Sequence, residues 1–253
     1  MFGSLFRVKT KTPTKFSPRV PEGTRVYAIG DIHGRSDLLD LMHQMIGEDI
    51  SAYRPPECHI IYLGDYIDRG HDSCGVLKRL SGPPPFAMKR TLLMGNHEQM
   101  LLRFLEDGSN TALWRQFGGM ETLLSYRIDV NTALATPGFH GLGAELANRM
   151  PPQHLEFLRA LVPAVSVGDY FFCHAGVRPG VALEEQRERD LLWIRDEFLH
   201  SGKSFGKMVV HGHSPVETPD FRANRINIDT AAYLTGRLTC LVLEDEEQRT
   251  LST

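Results

Sequence analysis

The sequence has few cysteines, no long apolar run and no large excess of charge of either sign. Its four cysteines, Cys58, Cys74, Cys173 and Cys240, are scattered without a CxxC pair. That distribution argues against a disulfide framework and against a thiolate zinc site, and it favours a reducing, cytoplasmic setting. No apolar run approaches the length of a membrane span, so we expect no membrane partner.

The charge balance excludes a further class of partner. Lys and Arg number 28 against 31 Asp and Glu, which gives a net charge of -3. This balance offers no overall electrostatic reason to bind nucleic acid, and we expect none, although a local basic cleft is compatible with it. With 253 residues, 42% of them hydrophobic, the chain is long enough for one large α/β domain or two small ones.

The beginning of the chain differs from the rest in composition. Residues 1–21 contain basic residues and prolines but no acidic residue. Their only apolar cluster, Phe2, Leu5 and Phe6, is too short for a signal-peptide core. We predict that residues 1–22 form a disordered basic arm and that residues 23–253 form a single domain.

Short apolar runs rich in β-branched and aromatic residues recur along the chain and predict strands buried on both faces. The runs are 26–29, 60–63, 91–94, 170–172, 208–210 and 239–243. Stretches with helical periodicity, such as 36–46 and 98–105, lie between several of them. Alternating strands and helices predict an α/β fold.

The first five of these runs each end in a compact polar cluster. The clusters are Gly30-Asp31-Ile32-His33-Gly34, Gly64-Asp65, Gly95-Asn96-His97-Glu98, His174-Ala175-Gly176 and His211-Gly212-His213. Sites in open α/β sheets form beyond the carboxyl ends of strands. We therefore expect the five clusters to surround one site.

The polar clusters contain the side chains of a metal site. The candidate ligands are Asp31, His33, Asp65, Asn96, His174 and His213. A lone Asp-x-His motif is more often part of a turn, and Asn96 alone fits an Asx-turn. The prediction of a metal site therefore depends on all six candidates occurring together. Oxygen and imidazole ligands without thiolate suit Mn²⁺, Fe or Zn²⁺ better than calcium. Two such ions about 3.5–4 Å apart are a known arrangement for phosphoryl transfer.

The order of the motifs resembles that of the PPP-type metallophosphatases, and in particular the bacteriophage lambda and bacterial protein-phosphatase branch. The motifs are GDIHG (30–34), GDYIDRG (64–70), GNHEQM (95–100), HAG (174–176) and HGHSP (211–215). Further similarity at 192–195 and 227–231 extends the resemblance over most of the chain. It implies two mixed β-sheets packed as a sandwich and flanked by helices, the calcineurin-like metallophosphoesterase fold.

The resemblance also implies how the candidate ligands would be divided between two divalent ions. Mn²⁺ is the expected ion, with Fe or Zn²⁺ as alternatives. Asp31 and His33 would hold the first ion, and Asp65 would bridge both. The second ion would be completed by Asn96, His174 and His213. His211 is an alternative for the last ligand, but the GH[ST]P form of the motif aligns the ligand with His213, so we expect His211 to be structural or to support the ligands.

The remaining roles concern catalysis. By resemblance, His97 is the general acid and Asp68 orients it, with a salt bridge to Arg69 as the alternative role for Asp68. Arg69 and Arg195 are expected to bind the phosphate, because a guanidinium matches phosphate oxygens; an arginine on a helix surface is the alternative for Arg195. A hydroxide held between the ions would attack phosphorus directly, so no phosphoenzyme is expected.

The leading hypothesis for the substrate is phosphoserine and phosphothreonine in proteins, with phosphotyrosine and small phosphoesters also accepted. The alternative is a symmetrical bis(5'-nucleosyl)-tetraphosphatase, which typically carries ARG at positions 68–70 and Asp in place of Glu98. A third class, an inactive metal-binding scaffold, predicts a missing ligand, and none is missing. We expect residues 108–149 and 180–190 to shape specificity.

Overall fold

A computed structural model describes residues 17–86, 88–108, 111–129 and 141–253. Most of the predicted arm, residues 1–16, lies outside the described residues. So does the middle of the segment expected to shape specificity, residues 130–140.

The described strands form two mixed sheets of five strands each. In chain order the strands are β1 (Thr24–Ile29), β2 (Glu57–Tyr62), β3 (Lys89–Leu92), β4 (Ala164–Val167), β5 (Tyr170–Cys173), β6 (Met208–His211), β7 (Asp220–Phe221), β8 (Arg225–Asn227), β9 (Thr239–Glu244) and β10 (Glu247–Ser252). The first sheet has the order β10-β9-β1-β2-β3 and the second the order β4-β5-β6-β8-β7. The centre of each sheet is parallel, through β1, β2 and β3 in one and β5, β6 and β8 in the other.

Helices connect the strands and cover the outer faces of both sheets. They are α1 (Ser36–Tyr53), α2 (Ser73–Ser81), α3 (Asn96–Asp107), α4 (Thr111–Gln116), α5 (Gly119–Ser125), α6 (Leu142–Arg149), α7 (Pro152–Arg159), α8 (Glu188–Trp193), α9 (Asp196–Leu199) and α10 (Ala232–Thr235), with a 3-10 turn at Leu183–Glu185. Within the described part of the chain, no helix combines the length and the apolar character needed to cross a membrane.

The two sheets pack face to face through one apolar layer. Val26 and Ile61 of the first sheet and Phe172 and Val210 of the second belong to the same buried cluster. Phe171, next to Phe172, points instead to the outer face, where it packs with α8 and α9, as the period of two in a strand requires. A larger cluster joins the other face of the first sheet to α1, α2, α3, α6 and α7. The predicted fold class, two mixed sheets flanked by helices, is confirmed.

The six predicted strands all exist, but one prediction about them is wrong. Lys89 of β3 is exposed and Arg90, Thr91 and Leu92 are only half-buried, so β3 is not covered on both faces. The reason is its position at the edge of the first sheet. Strands β4, β7, β8 and β10 were not predicted, because no apolar run of this kind marks them in the sequence.

The last residues of the predicted arm are in contact with the domain. The Val20 N–H donates to the Asp245 carbonyl at 3.0 Å, between β9 and β10, and Val20 is buried. The Arg19 N–H donates to the Asp169 carboxylate at 3.1 Å, between β4 and β5. Residues 19 and 20 therefore join one turn of each sheet, and the single-domain boundary at residue 23 stays a prediction.

Candidate dinuclear metal centre

The polar clusters meet at one edge of the sandwich. Asp31, Asp65 and Asn96 follow β1, β2 and β3, while His174 and His213 follow β5 and β6. Because these strands are parallel within each sheet, their carboxyl ends share an edge, which the strand-end argument predicted.

The backbone at this edge is strained. His33, Asp65 and His213 have φ angles of 43°, 51° and 65°, in the left-handed region that non-glycine residues seldom adopt. Such conformations persist where the surrounding structure imposes them, and they concentrate at functional sites. Gly212 has a different reason to be glycine, since a Cβ there would overlap the Asp31 carboxylate.

Four candidate ligand atoms converge at the position predicted for the second ion. The His174 Nε2 lies 2.9 Å from the Asn96 Oδ1 and 3.1 Å from the His213 Nδ1. The His213 Nδ1 lies 2.8 Å from the same Asn96 oxygen, and the Asp65 Oδ1 lies 3.3 Å from the His174 Nε2. Adjacent ligands about 2.1 Å from one ion stand about 3 Å apart, so these spacings fit a single divalent cation.

The predicted position of the first ion shares Asp65 with this group. Ligand atoms of His33, Asp65 and His97 lie within 4.8 Å of one another, as do those of Asp65, His174 and His213. The His33 Nε2 is 3.4 Å from the Asp65 Oδ2. Asp65 therefore stands between two clusters, where the predicted bridging ligand belongs.

Backbone carbonyls behind the histidines set their orientation. The His174 Nδ1–H donates to the Leu63 carbonyl at 2.9 Å, and the His33 Nδ1–H donates to the Ile67 carbonyl at 2.8 Å. Each bond leaves the Nε2 lone pair directed at the cluster, which is the arrangement that ligating histidines require.

Asp31 reaches the cluster less directly than the sequence suggested. Its Oδ2 accepts the His213 N–H at 3.0 Å, and its buried Oδ1 has no hydrogen-bond partner within the described residues. It belongs to neither of the two groups above. Burial and the neighbouring Asp229 raise the pKa of Asp31 well above its usual range. Asp229, which the sequence analysis did not select, is thus a further carboxylate beside the centre.

The charges of the centre favour a bound cation. Asp31, Asp65 and Asp229 are each at most 2% exposed. Burial alone would lower the pKa of His174. The nearby Asp65 carboxylate outweighs this effect and raises that pKa to about 9. The unpartnered Asp31 oxygen, the buried acids and the oxygen and imidazole donors together fit divalent metal ions.

His97 is held by Asp68 and presents a free nitrogen to the cluster. Its Nδ1–H donates to the Asp68 Oδ2 at 2.7 Å. Its Nε2 is buried, lacks a hydrogen-bond partner among the described residues, and lies 3.8 Å from the Asp65 Oδ2. Burial opposes protonation of His97, but Asp65 and then Asp68 raise its pKa.

Two residues that the sequence analysis missed hold Asp68 in place. The Trp114 Nε1–H donates to the Asp68 Oδ2 at 2.9 Å, and the Thr122 hydroxyl donates to the Asp68 Oδ1 at 2.6 Å. No ion pair between Asp68 and Arg69 occurs in the described part of the chain, so the alternative role for Asp68 finds no support. No motif marks Trp114 or Thr122; they lie in α4 and α5, inside the segment expected only to shape specificity.

Glu98 ties two ligand-bearing segments together. Its buried carboxylate accepts the backbone N–H groups of Asp65 at 2.9 Å, Tyr66 at 2.8 Å and Gly95 at 3.0 Å. Burial raises the pKa of Glu98 to about 7. In the sequence Glu98 marks only the substrate class, whereas in the structure it connects the segments that carry Asp65 and Asn96.

The two candidate phosphate-binding arginines lie beside different candidate ligands of the centre. The Arg69 Nη1 is 3.2 Å from the His33 Nε2, and its guanidinium lies over the Tyr233 ring at 5.0 Å. The Arg195 Nη1 donates to the Ser214 hydroxyl at 3.4 Å. Arg195 is exposed and immediately precedes α9, but Ser214 follows His213, so the guanidinium is next to the centre.

His211 points away from the ligand cluster. Its ring packs edge-to-face against Phe198 with centroids 4.9 Å apart, and its Nδ1 is 3.0 Å from the Gly212 carbonyl. Burial lowers its pKa to about 3. The geometry therefore brings His213, and not His211, to the other candidate ligands.

Comparisons with known proteins agree with this arrangement. The profile of the calcineurin-like phosphoesterases matches residues 24–236. Serine/threonine-protein phosphatase 1 of Salmonella typhimurium is 29% identical over 223 residues, covering 85% of this chain and 89% of that protein. The asymmetrical bis(5'-nucleosyl)-tetraphosphatase PrpE of Bacillus thuringiensis is 23% identical over 233 residues, covering 84% of this chain and 88% of that protein.

A solved structure shares the fold. A crystal structure provisionally described as a diadenosine tetraphosphatase aligns with a TM-score of 0.61 at 19% identity, over 94% of this chain and 98% of the other. At that identity the similarity concerns the fold alone.

Proposed function

Because the chain belongs to the calcineurin-like phosphoesterase family and is therefore a metallophosphoesterase, we propose that it dephosphorylates phosphoserine and phosphothreonine in proteins. The observation that carries the proposal is the His97–Asp68 pair beside the ligand cluster, with one imidazole nitrogen bonded at 2.7 Å and the other free. Phosphotyrosine and small aryl phosphates are expected as secondary substrates. The free state of all four cysteines supports a cytoplasmic location.

Six residues would hold two divalent ions. They are Asp31, His33, Asp65, Asn96, His174 and His213. When bound, the ions supply a water nucleophile of lowered pKa and stabilise the charge that develops on the phosphoryl group. We propose Mn²⁺ for both positions, with Fe or Zn²⁺ as alternatives, because imidazole and carboxylate donors suit these ions.

His97 would deliver the proton that the leaving oxygen needs. Its Nε2 faces the cluster, while Asp68 holds the Nδ1 and favours the protonated ring. A side chain placed in this way acts as a general acid toward the serine or threonine oxygen as the phosphorus–oxygen bond breaks.

Arg69 and Arg195 would bind the phosphate oxygens. They approach the centre from the His33 side and the His213 side, so together they can orient the phosphorus for in-line attack. A guanidinium also stabilises the charge that spreads over these oxygens in the transition state.

The choice between a protein phosphatase and a dinucleoside tetraphosphatase depends on positions 68 and 98. An alanine at position 68, as in the ARG triplet, would remove the acceptor for His97, Trp114 and Thr122. The greater identity to the Salmonella protein phosphatase than to the Bacillus tetraphosphatase also supports our choice. An inactive scaffold has no support, since every candidate ligand is present.

The test compares the two substrate classes on one enzyme preparation. We expect kcat/KM for phosphoserine peptides to exceed that for diadenosine tetraphosphate by at least about tenfold, roughly 1.4 kcal/mol in transition-state binding. Activity should disappear after chelation and return more strongly with Mn²⁺ than with Mg²⁺ or Ca²⁺. A preference for the dinucleotide would instead assign the enzyme to the tetraphosphatases.

A further inference from the structure

A surface groove rich in arginine opens beside the metal centre. It has a volume of about 470 Å³, and we call it the arginine groove after four of its lining residues, Arg178, Arg187, Arg189 and Arg195. The last of these also faces the centre, through Ser214. Trp193 lines the groove as well, and its ring centroid is 6.4 Å from that of His213. The groove therefore lies next to the place where the phosphate would bind.

One of these arginines serves the fold. Arg178 makes a two-pronged ion pair with Asp190, at 2.8 and 2.6 Å, and a further ion pair with Glu197. This network connects the loop before α8 to α8 and α9. Arg178 is therefore already neutralised by the acids around it.

The other arginines keep their charge available. Arg187 and Arg189 are exposed, and neither forms an ion pair or a side-chain hydrogen bond within the described residues. Both act on Asp190, whose pKa is lowered by the Arg178 hydrogen bond and then by the nearby positive charges. The lining as a whole holds four arginines against three acids, Asp190, Asp196 and Glu197, so one positive charge is in excess. The excess of positive charge is local, because the whole chain carries a net charge of -3.

We propose that the arginine groove binds acidic side chains that flank the phosphorylated residue of a protein substrate. The proposal rests on the protein-phosphatase function and refines it to acidic phosphopeptides. An extended peptide that places its phosphate at the metal centre runs past Trp193 into the groove, where carboxylates meet Arg187 and Arg189. Exposed guanidinium groups recognise carboxylates with good geometry, and the resulting attraction is strongest at low salt.

Two phosphoserine peptides that differ only in flanking charge provide the test. In one, the three residues on each side of the phosphoserine are Glu; in the other they are Gln. The enzyme variants are the wild type, the double variant Arg187→Gln/Arg189→Gln, and the control Arg54→Gln. Arg54 is exposed and precedes β2, at the opposite end of that strand from Asp65. Hydrolysis of p-nitrophenyl phosphate reports on the centre itself.

We expect wild-type kcat/KM to favour the Glu peptide by about tenfold at low ionic strength. The preference should fall below about twofold in the double variant and in about 0.5 M salt, while Arg54→Gln keeps it. Activity on p-nitrophenyl phosphate should stay within about twofold in all three proteins, which shows that the double variant is folded and its centre intact.

Two results separate the proposals. Equal efficiency on both peptides in the wild type, or a preference that survives the double replacement, overturns the role of the groove and leaves the phosphatase function standing. If neither peptide is hydrolysed while diadenosine tetraphosphate is, and the double variant weakens that reaction, the proposed function fails and the groove binds a polyphosphate.

Discussion

The two nitrogens of His97 have different environments, and the role proposed for the residue rests on this difference. The Nδ1–H is bonded to Asp68 at 2.7 Å, whereas the buried Nε2 lacks a partner among the described residues and faces Asp65. Such an imidazole is oriented and charged from one side and delivers its proton from the other.

We therefore expect the effect of replacing His97 on kcat to depend on the leaving group of the substrate. His97→Asn should lower kcat on phosphoserine peptides by about 10²–10⁴-fold, because a serine alkoxide needs a proton. The loss on p-nitrophenyl phosphate should be distinctly smaller, since nitrophenolate is a good leaving group. Metal content, measured by elemental analysis, should hardly change. Equal losses on both substrates would mean that His97 positions the phosphate or the nucleophile instead.

A second prediction at this scale concerns the neighbouring histidines His211 and His213. The His213 Nδ1 lies 2.8 Å from the Asn96 oxygen, whereas His211 packs against Phe198. His213→Ala should abolish turnover and reduce bound metal, because it removes a ligand. His211→Ala should retain both ions, since its ring contacts no candidate ligand atom. Two ions in His213→Ala together with one in His211→Ala would reverse the assignment.

At the scale of elements, α4 and α5 support His97, the proposed general acid. Trp114 of α4 and Thr122 of α5 donate to the two oxygens of Asp68, so both helices must be packed in place before Asp68 can orient His97. The Trp114 ring is itself held against Phe104 of α3, with centroids 4.4 Å apart. The positioning of His97 is thus shared by three helices.

Trp114→Phe tests this support while keeping an aromatic ring in the core. The change removes the Nε1–H donor together with part of a fully buried ring. It should lower kcat on phosphoserine peptides by about tenfold, with a smaller effect on p-nitrophenyl phosphate, because Asp68 then orients His97 less firmly. A thermal melt serves as the control for stability. An equal loss on both substrates would indicate that Trp114 maintains the whole site and not the acid in particular.

For the whole molecule, two histidines outside the centre link stability to pH, the half-buried His43 and the buried His59. Burial lowers the pKa of both His43 and His59 to about 4. Above about pH 6.5 these side chains are neutral in both the folded and the unfolded chain, so their contribution is fully present. As the pH falls toward 4, only the unfolded chain takes up the protons, and the contribution is lost.

Urea unfolding of metal-free protein at pH 7 and pH 5.5 measures this effect. His43→Gln/His59→Gln should reduce the loss of unfolding free energy between the two pH values by roughly 1 kcal/mol, after allowance for solvent screening. His200→Gln, at an exposed histidine, should leave the loss unchanged. The same pH dependence in all three proteins would show that His43 and His59 do not cause it.

Much of the fold and of the candidate centre could be predicted from the sequence because the information is local. Asp31, Asp65 and His174 each lie within a few residues of the end of a buried apolar strand. Strands of that kind are recognisable from composition, and parallel strands bring their carboxyl ends to a common edge. The order of these motifs along the chain was then enough to indicate the family.

Tertiary structure alone decided which side chains support those motifs. Trp114 and Thr122 lie 46 and 54 residues from Asp68, and no local pattern connects them to it. The arginine groove likewise exists only because α8 and α9 pack beside the end of β6. The motif favoured His213 over His211, and the fold supplies the reason: β6 holds His211 against α9, and the left-handed turn after it directs His213 to the other candidate ligands. A sequence pattern records the ends of strands, whereas contacts between distant segments depend on how the sheets and helices pack together.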